Sequence, residues 1–402
     1  MNYTQEYFLY ILKCFYSDEK CKEPSKEVDK DLLCRLSEIH NVEGIVFSKI
    51  KDLNFMKNTD AYENLKTNFF SLTMLSVQME QNLNYLLKLF NKNNIDHILF
   101  KGSIVSKAYP SKELRTMGDY DVLIHKDDFD NVDKILKENG FKYYDQGSEL
   151  YTKDYYYNNT LFEIHLNLAN KNSMIHSGDF FTFFSDAFSH AVKIENQTFT
   201  LEPTYHIMFL IYHLERHFEQ NCCGIRMFLD LPFFFEKNTV DNTILEKWLK
   251  DLKLTEFATG IFNICNRLFG SNLPQFTEFE IDDKLLDYTL EKILNGGTFG
   301  HIGKSDAQKI MMMQAKKHYD SNKLSGKIKG FFRWACPTRE YMVSVEMWDM
   351  DKPIILLPVY YIKRFYRTYK KKGGLRNWLN EMKNSNVDYS AIEIIDKFGI
   401  NK

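Results

Sequence analysis

The chain carries 54 acidic against 52 basic side chains, a net charge of −2, so no global field draws it to nucleic acid or anionic lipid. Hydrophobic residues make up 44% and aromatics 15% of it, which excludes a disordered protein and provides for a sizeable core. At 402 residues it exceeds one ordinary domain and predicts two or three units.

Residues 1–94 are predicted to be helical. Apolar positions recur at three- and four-residue spacing in Tyr7-Phe8-Ile11-Leu12-Phe15 and again in Leu83-Leu86-Leu87-Phe90, a pattern that reads as a helical cap or lid. The pattern changes over Ile95 to Lys101, a short apolar run that ends in Gly102-Ser103 and is followed by Ile104 to Tyr109: strand, tight turn, helix. Asp119 to Ile124 reads as a strand, and Asp127 to Asn139 as a helix stopped by Gly140. Three further strands are expected at Glu149 to Tyr157, Thr160 to Leu168 and Ala191 to Leu201, with Asn158-Asn159 as a hairpin turn because Asn tolerates positive φ. From Pro203 the helical period returns, a second helix begins near Gly224, and helices continue to the end, broken at Gly296-Gly297, Pro337 and Gly373-Gly374.

Chemistry concentrates in the middle unit. On the strand Asp119-Tyr120-Asp121-Val122-Leu123-Ile124, Tyr120, Val122 and Ile124 can enter a core, which leaves Asp119 and Asp121 together on the opposite face, roughly 7 Å apart along the strand. Phe162-Glu163-Ile164-His165 repeats the alternation and lets Glu163 join them. Three crowded carboxylates repel unless a proton or divalent cations neutralise them, and such hard oxygens suit Mg²⁺ or Mn²⁺ rather than zinc. Upstream, Lys101-Gly102-Ser103 lies between strand and helix, where backbone N–H groups favour an anion, Gly102 lets a phosphate approach, and Ser103 and Lys101 add a hydroxyl and a charge.

The order Gly102-Ser103, Asp119-x-Asp121, then a lone acidic residue on a later strand resembles the nucleotidyltransferase superfamily that includes DNA polymerase β. The fuller string Leu99-Phe100-Lys101-Gly102, Tyr109-Pro110, Leu114-Arg115-x-Met117-Gly118-Asp119-Tyr120-Asp121 and Phe162-Glu163-Ile164-His165 resembles a family of bacterial nucleotidyltransferases, as do His213-x-x-x-His217 and Gly224-Ile225-Arg226 through Asp230. The likeness covers about 90 to 240 well and the flanks loosely. It implies a small mixed β-sheet flanked by helices, and with the pattern above the expected fold is α+β: a nucleotidyltransferase core over 95–201 between helical regions over 1–94 and 202–402. It also implies two divalent metals, Asp119 and Asp121 bridging both and Glu163 holding the one that activates the acceptor hydroxyl. Nucleoside monophosphate would pass from a nucleoside triphosphate to an acceptor: a metabolite, a glycan precursor, a peptide or a protein. Nucleic acid is disfavoured, because no continuous basic track is present. Rival readings are an inactive nucleotide-binding module and a metal-dependent phosphohydrolase.

The superfamily often carries a second Gly or Ser in the loop, whereas here Lys101 precedes a single Gly-Ser pair, so triphosphate contacts lean on Lys101 and Arg115. Arg115 could grip phosphate bidentately or pair with Glu113 or Asp119. His213 and His217 lie one helical turn apart; a hydrogen-bonded structural role is favoured for each singly, with His213 the better one to face the cleft. Arg226 and Asp230 are four apart, and Asp230 is expected to clamp Arg226 toward the site. The clusters Phe180 to Phe184 and Phe233 to Phe235 are expected to pack rather than to bind an acceptor. Lys363 to Lys372, basic and aromatic, fits a membrane surface or a phosphate backbone, but a solvated helix face is favoured. The seven cysteines show no C-x-x-C pair and read as reduced thiols. No run reaches the roughly 18 apolar residues of a membrane span, and the first residues do not resemble a signal peptide. A cytoplasmic protein without a transmembrane segment is expected.

Overall fold

The computed structural model describes residues 1–144, 151–169, 179–219, 223–279, 281–297, 354–371 and 397–399. Four helices open the chain: α1 (Tyr3–Tyr16), α2 (Lys30–Ile39), α3 (Glu43–Ile50) and α4 (Asp60–Lys92). Asn2 and Gln5 close a reciprocal capping box on α1, and the Thr59 hydroxyl accepts from Tyr62 N–H to start α4.

The sheet follows. Strands β1 (His97–Leu99), β2 (Asp119–Ile124), β3 (Lys142–Tyr144), β4 (Thr152–Tyr157), β5 (Thr160–His165), β6 (Ala191–Glu195) and β7 (Thr198–Leu201) form one mixed sheet in the order β3-β4-β5-β2-β1-β7-β6. The β2/β5 and β1/β7 pairs are parallel and the rest antiparallel. Between β1 and β2 lies the single turn α5 (Gly102–Val105); between β2 and β3 lies α6 (Phe129–Glu138), after which Gly140 turns the chain at φ +87°. Asn158 and Asn159 both have positive φ, the geometry of the expected tight hairpin between β4 and β5. Two differences from expectation concern strands. Ala191 to Leu201 is two strands, because Asn196 at φ +43° turns the chain back on itself, and β3 was not foreseen.

After the short α7 (Phe180–Phe184) and the β6/β7 hairpin come α8 (Pro203–Glu219), α9 (Ile225–Lys237), α10 (Asn242–Asp251), α11 (Thr255–Phe269), α12 (Asp283–Gly296) and, further on, α13 (Leu357–Lys371). Gly297, at φ +64°, ends α12, whereas the expected breaks at Pro337 and Gly373-Gly374 lie outside the described residues. The chain is α+β, a mixed sheet with helices at both ends.

Two cores sandwich the sheet. On one face Met79, Leu83, Leu86 and Phe90 of α4 and Val132, Ile135 and Leu136 of α6 cover Tyr120, Val122, Ile124, Phe162 and Ile164. On the other, Ile98, Phe100 and Leu123 join a continuous core built from α1–α3 together with α8–α12. The first three helices therefore share their buried surface with the helices after Pro203 rather than standing off as a lid. Phe180, Phe184, Phe233 and Phe234 are buried in that core. Cys14, Cys21, Cys34, Cys223 and Cys265 are buried free thiols; Cys222 and Cys336 lie outside the described residues.

Candidate active site

β2 and β5 run side by side with Asp121 directly opposite Glu163. Because side chains alternate along a strand, Asp119, Asp121, Glu163 and His165 project from the face opposite Tyr120, Val122, Phe162 and Ile164, toward α8 and α9. They form one wall of a cleft of about 590 Å³, whose other wall is made by Phe209, Tyr212, His213, Arg216 and His217 of α8 and by Arg226 and Asp230 of α9. That volume suits a small-molecule site.

Asp121 is 4% exposed and its Oδ1 accepts twice, from Lys101 Nζ at 2.5 Å and from His165 Nε2 at 2.9 Å. Burial alone would raise its pKa, yet Lys101 and His165 hold it down at about 2. Asp119 has no such donor. Burial, with the Asp121 and Glu163 charges, pushes its carboxyl up to about 7. Burial also works against the Lys101 charge, but Asp121, Glu163 and Asp119 outweigh it and raise the ammonium's pKa.

One ligand atom each from Asp121, Glu163 and His165 lie within 4.8 Å of one another, two oxygens and an imidazole nitrogen that could hold a metal ion. The expected trio is Asp119, Asp121 and Glu163. The structure instead groups His165 with the last two and sets Asp119 beside them on the cleft wall. His165 Nε2 lies 3.4 Å from Glu163 Oε2 as well.

The Lys101-Gly102-Ser103 turn contributes unequally. Lys101 adopts φ +50°, ψ −128°, a region that favours glycine, and its amide donates to His206 Nε2 of α8 at 3.1 Å. Burial, then Arg115, holds the His206 pKa at about 3, so the neutral ring can accept that bond. A Cβ on Gly102 would lie 2.8 Å from Arg115 Nη1 and 3.0 Å from Met117 Sδ, so these side chains occupy the space its bareness leaves. Ser103 spends its proton on the Phe100 carbonyl at 2.9 Å and does not line the cleft.

Arg115 pairs with neither Glu113 nor Asp119. Its Nε and Nη2 each donate to Asp230 at 2.7 Å, and Tyr109 donates to the same carboxylate at 2.7 Å. Asp230 therefore clamps Arg115, not Arg226 as expected. Helical spacing pairs Asp230 with its neighbour one turn back; in the fold Arg115 meets the carboxylate with two N–H donors, one to each oxygen. Arg226 donates instead to the Thr116 carbonyl and hydroxyl, its Nε buried without a partner, while burial and the Arg115 charge lower its pKa. Burial, followed by the Lys101 and His217 charges, holds the His213 pKa far below the ordinary range. His213 stacks on Phe209 at 6.0 Å and meets His217 edge-on at 4.5 Å, in the cleft wall.

Sequence reasoning missed Asp154, which lies opposite Glu163 on β4 and also lines the cleft. Asp121, Glu163 and Asp154 thus form one row across three neighbouring strands. The signal was present: a two-residue turn at Asn158-Asn159 fixes the register that pairs 154 with 163. His206 and Asn41, the latter a cleft residue from the turn between α2 and α3, had no comparable signal.

A model of the family described as uncharacterised nucleotidyltransferase matches residues 26–270. The chain belongs to this family. The nucleotidyltransferase match runs from just before α2 to Gly270, the left-handed cap of α11, and so takes in the whole sheet, both cleft walls and two of the three opening helices that share their core. No curated protein and no solved structure matches the chain.

Proposed function

We propose that this nucleotidyltransferase moves a nucleoside monophosphate from a nucleoside triphosphate to an acceptor hydroxyl with release of pyrophosphate, as a bacterial member of the superfamily that includes DNA polymerase β. The observation that carries the reading is the parallel register placing Asp121 opposite Glu163, with Asp119 on the same cleft wall. Two divalent cations, Mg²⁺ or Mn²⁺, held by Asp119, Asp121 and Glu163 would stabilise the attacking and leaving oxygens of an in-line displacement. His165 holds Asp121 in place through its Nε2. Glu163, whose side chain is 27% exposed, is the carboxylate an acceptor can reach, and it takes the hydroxyl proton. Lys101 and Arg226 face the cleft as cations for the triphosphate. Arg115, locked by Asp230, fixes the loop that carries Gly102. Neutral His213 offers a nitrogen to the nucleotide or acceptor.

A metabolite, glycan precursor, peptide or protein fits as acceptor better than nucleic acid, since cleft cations are few and local. We take the cytoplasm as the setting, consistent with five buried free cysteines.

The test is pyrophosphate release with each nucleoside triphosphate and Mg²⁺. Asp119→Ala/Asp121→Ala is expected to lose roughly a thousandfold or more; equal rates would remove the enzyme. Mass spectrometry then separates transfer from hydrolysis, because only transfer adds a nucleoside monophosphate to another molecule.

A further inference from the structure

The cleft makes no use of α13. Between Ile354 and Gly373 the sequence holds Lys363, Arg364, Arg367, Lys370, Lys371 and Lys372 and no Asp or Glu, in a chain whose net charge is −2. Such segregation of charge is a local departure from an otherwise acidic molecule. Leu357, Tyr360 and Tyr361 are half-buried. A second apolar set is not: Ile355 is 80% exposed, Val359 47%, Ile362 71% and Tyr366 62%. Val359, Ile362 and Tyr366 fall at i, i+3 and i+7, one stripe of a helix, and Lys363 and Arg367 fall at i and i+4 on the adjoining flank. The Lys363 ammonium lies 5.3 Å over the Tyr360 ring. A merely solvated face does not place a valine, an isoleucine and a tyrosine in water along a single stripe.

We propose that α13 is a membrane-surface helix that lies on anionic phospholipid, apolar stripe in the acyl boundary and basic flank among the headgroups. Lipid satisfies both halves of the pattern at once. Single-stranded nucleic acid would take the charges and the aromatic rings but leave Ile355, Val359 and Ile362 in water. A second copy of the helix would bring two cationic flanks together. No helix among the described residues is long and apolar enough to cross a membrane, so the attachment is to the surface. The inference goes beyond the transferase reading and does not rest on it.

The test is flotation of the full chain with phosphatidylcholine vesicles and with vesicles in which about a third of the lipid is phosphatidylserine. Binding is expected to the anionic vesicles alone and to weaken as salt rises. Val359→Glu/Ile362→Glu should abolish it. Lys363→Gln/Arg367→Gln should weaken it about twenty-five-fold, at about fivefold for each basic side chain. Val359, Ile362 and Lys363 are exposed and none of the four changed positions lines the cleft, so the thermal midpoint and pyrophosphate release measured without vesicles stay at wild-type values. Equal flotation with both vesicle types overturns the proposal, as does binding that survives Val359→Glu/Ile362→Glu. Retention of single-stranded RNA without vesicle binding, lost in Lys363→Gln/Arg367→Gln, would show the helix to be a nucleic-acid face instead.

Discussion

Lys101 and His165 both donate to Oδ1 of Asp121, a carboxylate proposed above to hold a divalent cation. On the proposed function, cation and ammonium would compete, and a triphosphate would relieve the competition by giving Lys101 another partner. Linkage then requires nucleotide and metal to strengthen each other's binding. Lys101→Ala is expected to bind Mn²⁺ about tenfold more tightly than wild type without nucleotide, and to lose the gain a non-hydrolysable triphosphate brings. Isothermal titration reads both; unchanged Mn²⁺ affinity in the variant would refute the competition. The same residue sits at φ +50°, so Lys101→Gly should be about 1 kcal/mol more stable than Lys101→Ala by urea unfolding, since both lack the ammonium and only glycine relaxes there.

Among elements, the joint between α9 and the loop before β2 is the most consequential. Asp230 is 5% exposed and Arg115 7%, and Tyr109 completes the carboxylate's partners. Removing one member strands the other in a dry place, so Asp230→Ala should cost about 3–5 kcal/mol, whereas Asp230→Leu with Arg115→Met should recover most of that loss. Denaturant midpoints of the two variants decide it: equal losses would mean that the joint stabilises by packing alone. The β4/β5 hairpin shows what could be read locally. Two asparagines at positive φ set its turn, the turn sets its register, and the register puts Asp154 beside Glu163. No neighbouring residue, in contrast, announced that Arg115 would meet Asp230, because helical spacing offered Asp230 a nearer arginine.

At the scale of the whole molecule, α1–α3 and α8–α12 bury one core, and the division into a helical region over 1–94, a nucleotidyltransferase core over 95–201 and a helical region over 202–402 stays our proposal. Asn41 from the first part and Arg226 from the third line the same cleft as Asp121. His40 marks this shared interior. It is fully buried, stacks on Phe8 at 5.9 Å and accepts from Ile225 N–H at 3.2 Å. Burial holds its pKa down at about 4. The unfolded chain, with an imidazole near 6.5, takes up a proton that the folded chain refuses. Stability is therefore lost as pH falls below about 6.5, by about 2 kcal/mol at pH 5. His40→Gln keeps an acceptor for Ile225 without a titrating ring. Between pH 7.5 and 5 it should lose about 2 kcal/mol less than wild type in urea titrations; parallel losses would show that another group dominates.

Among the described residues the sequence by itself determined the long helices, most of the strands, the tight turn at Asn158-Asn159 and the shared face of Asp119 and Asp121, because periodicity and turn chemistry act between residues a few positions apart. Only the tertiary structure decided which charges meet. That His165 and Lys101 converge on Asp121, that Asp230 takes Arg115, and that His206 holds the Lys101 amide all depend on which helices cover the sheet. Those packings are fixed by burying apolar surface across the whole chain, and no local pattern around a charged residue records them.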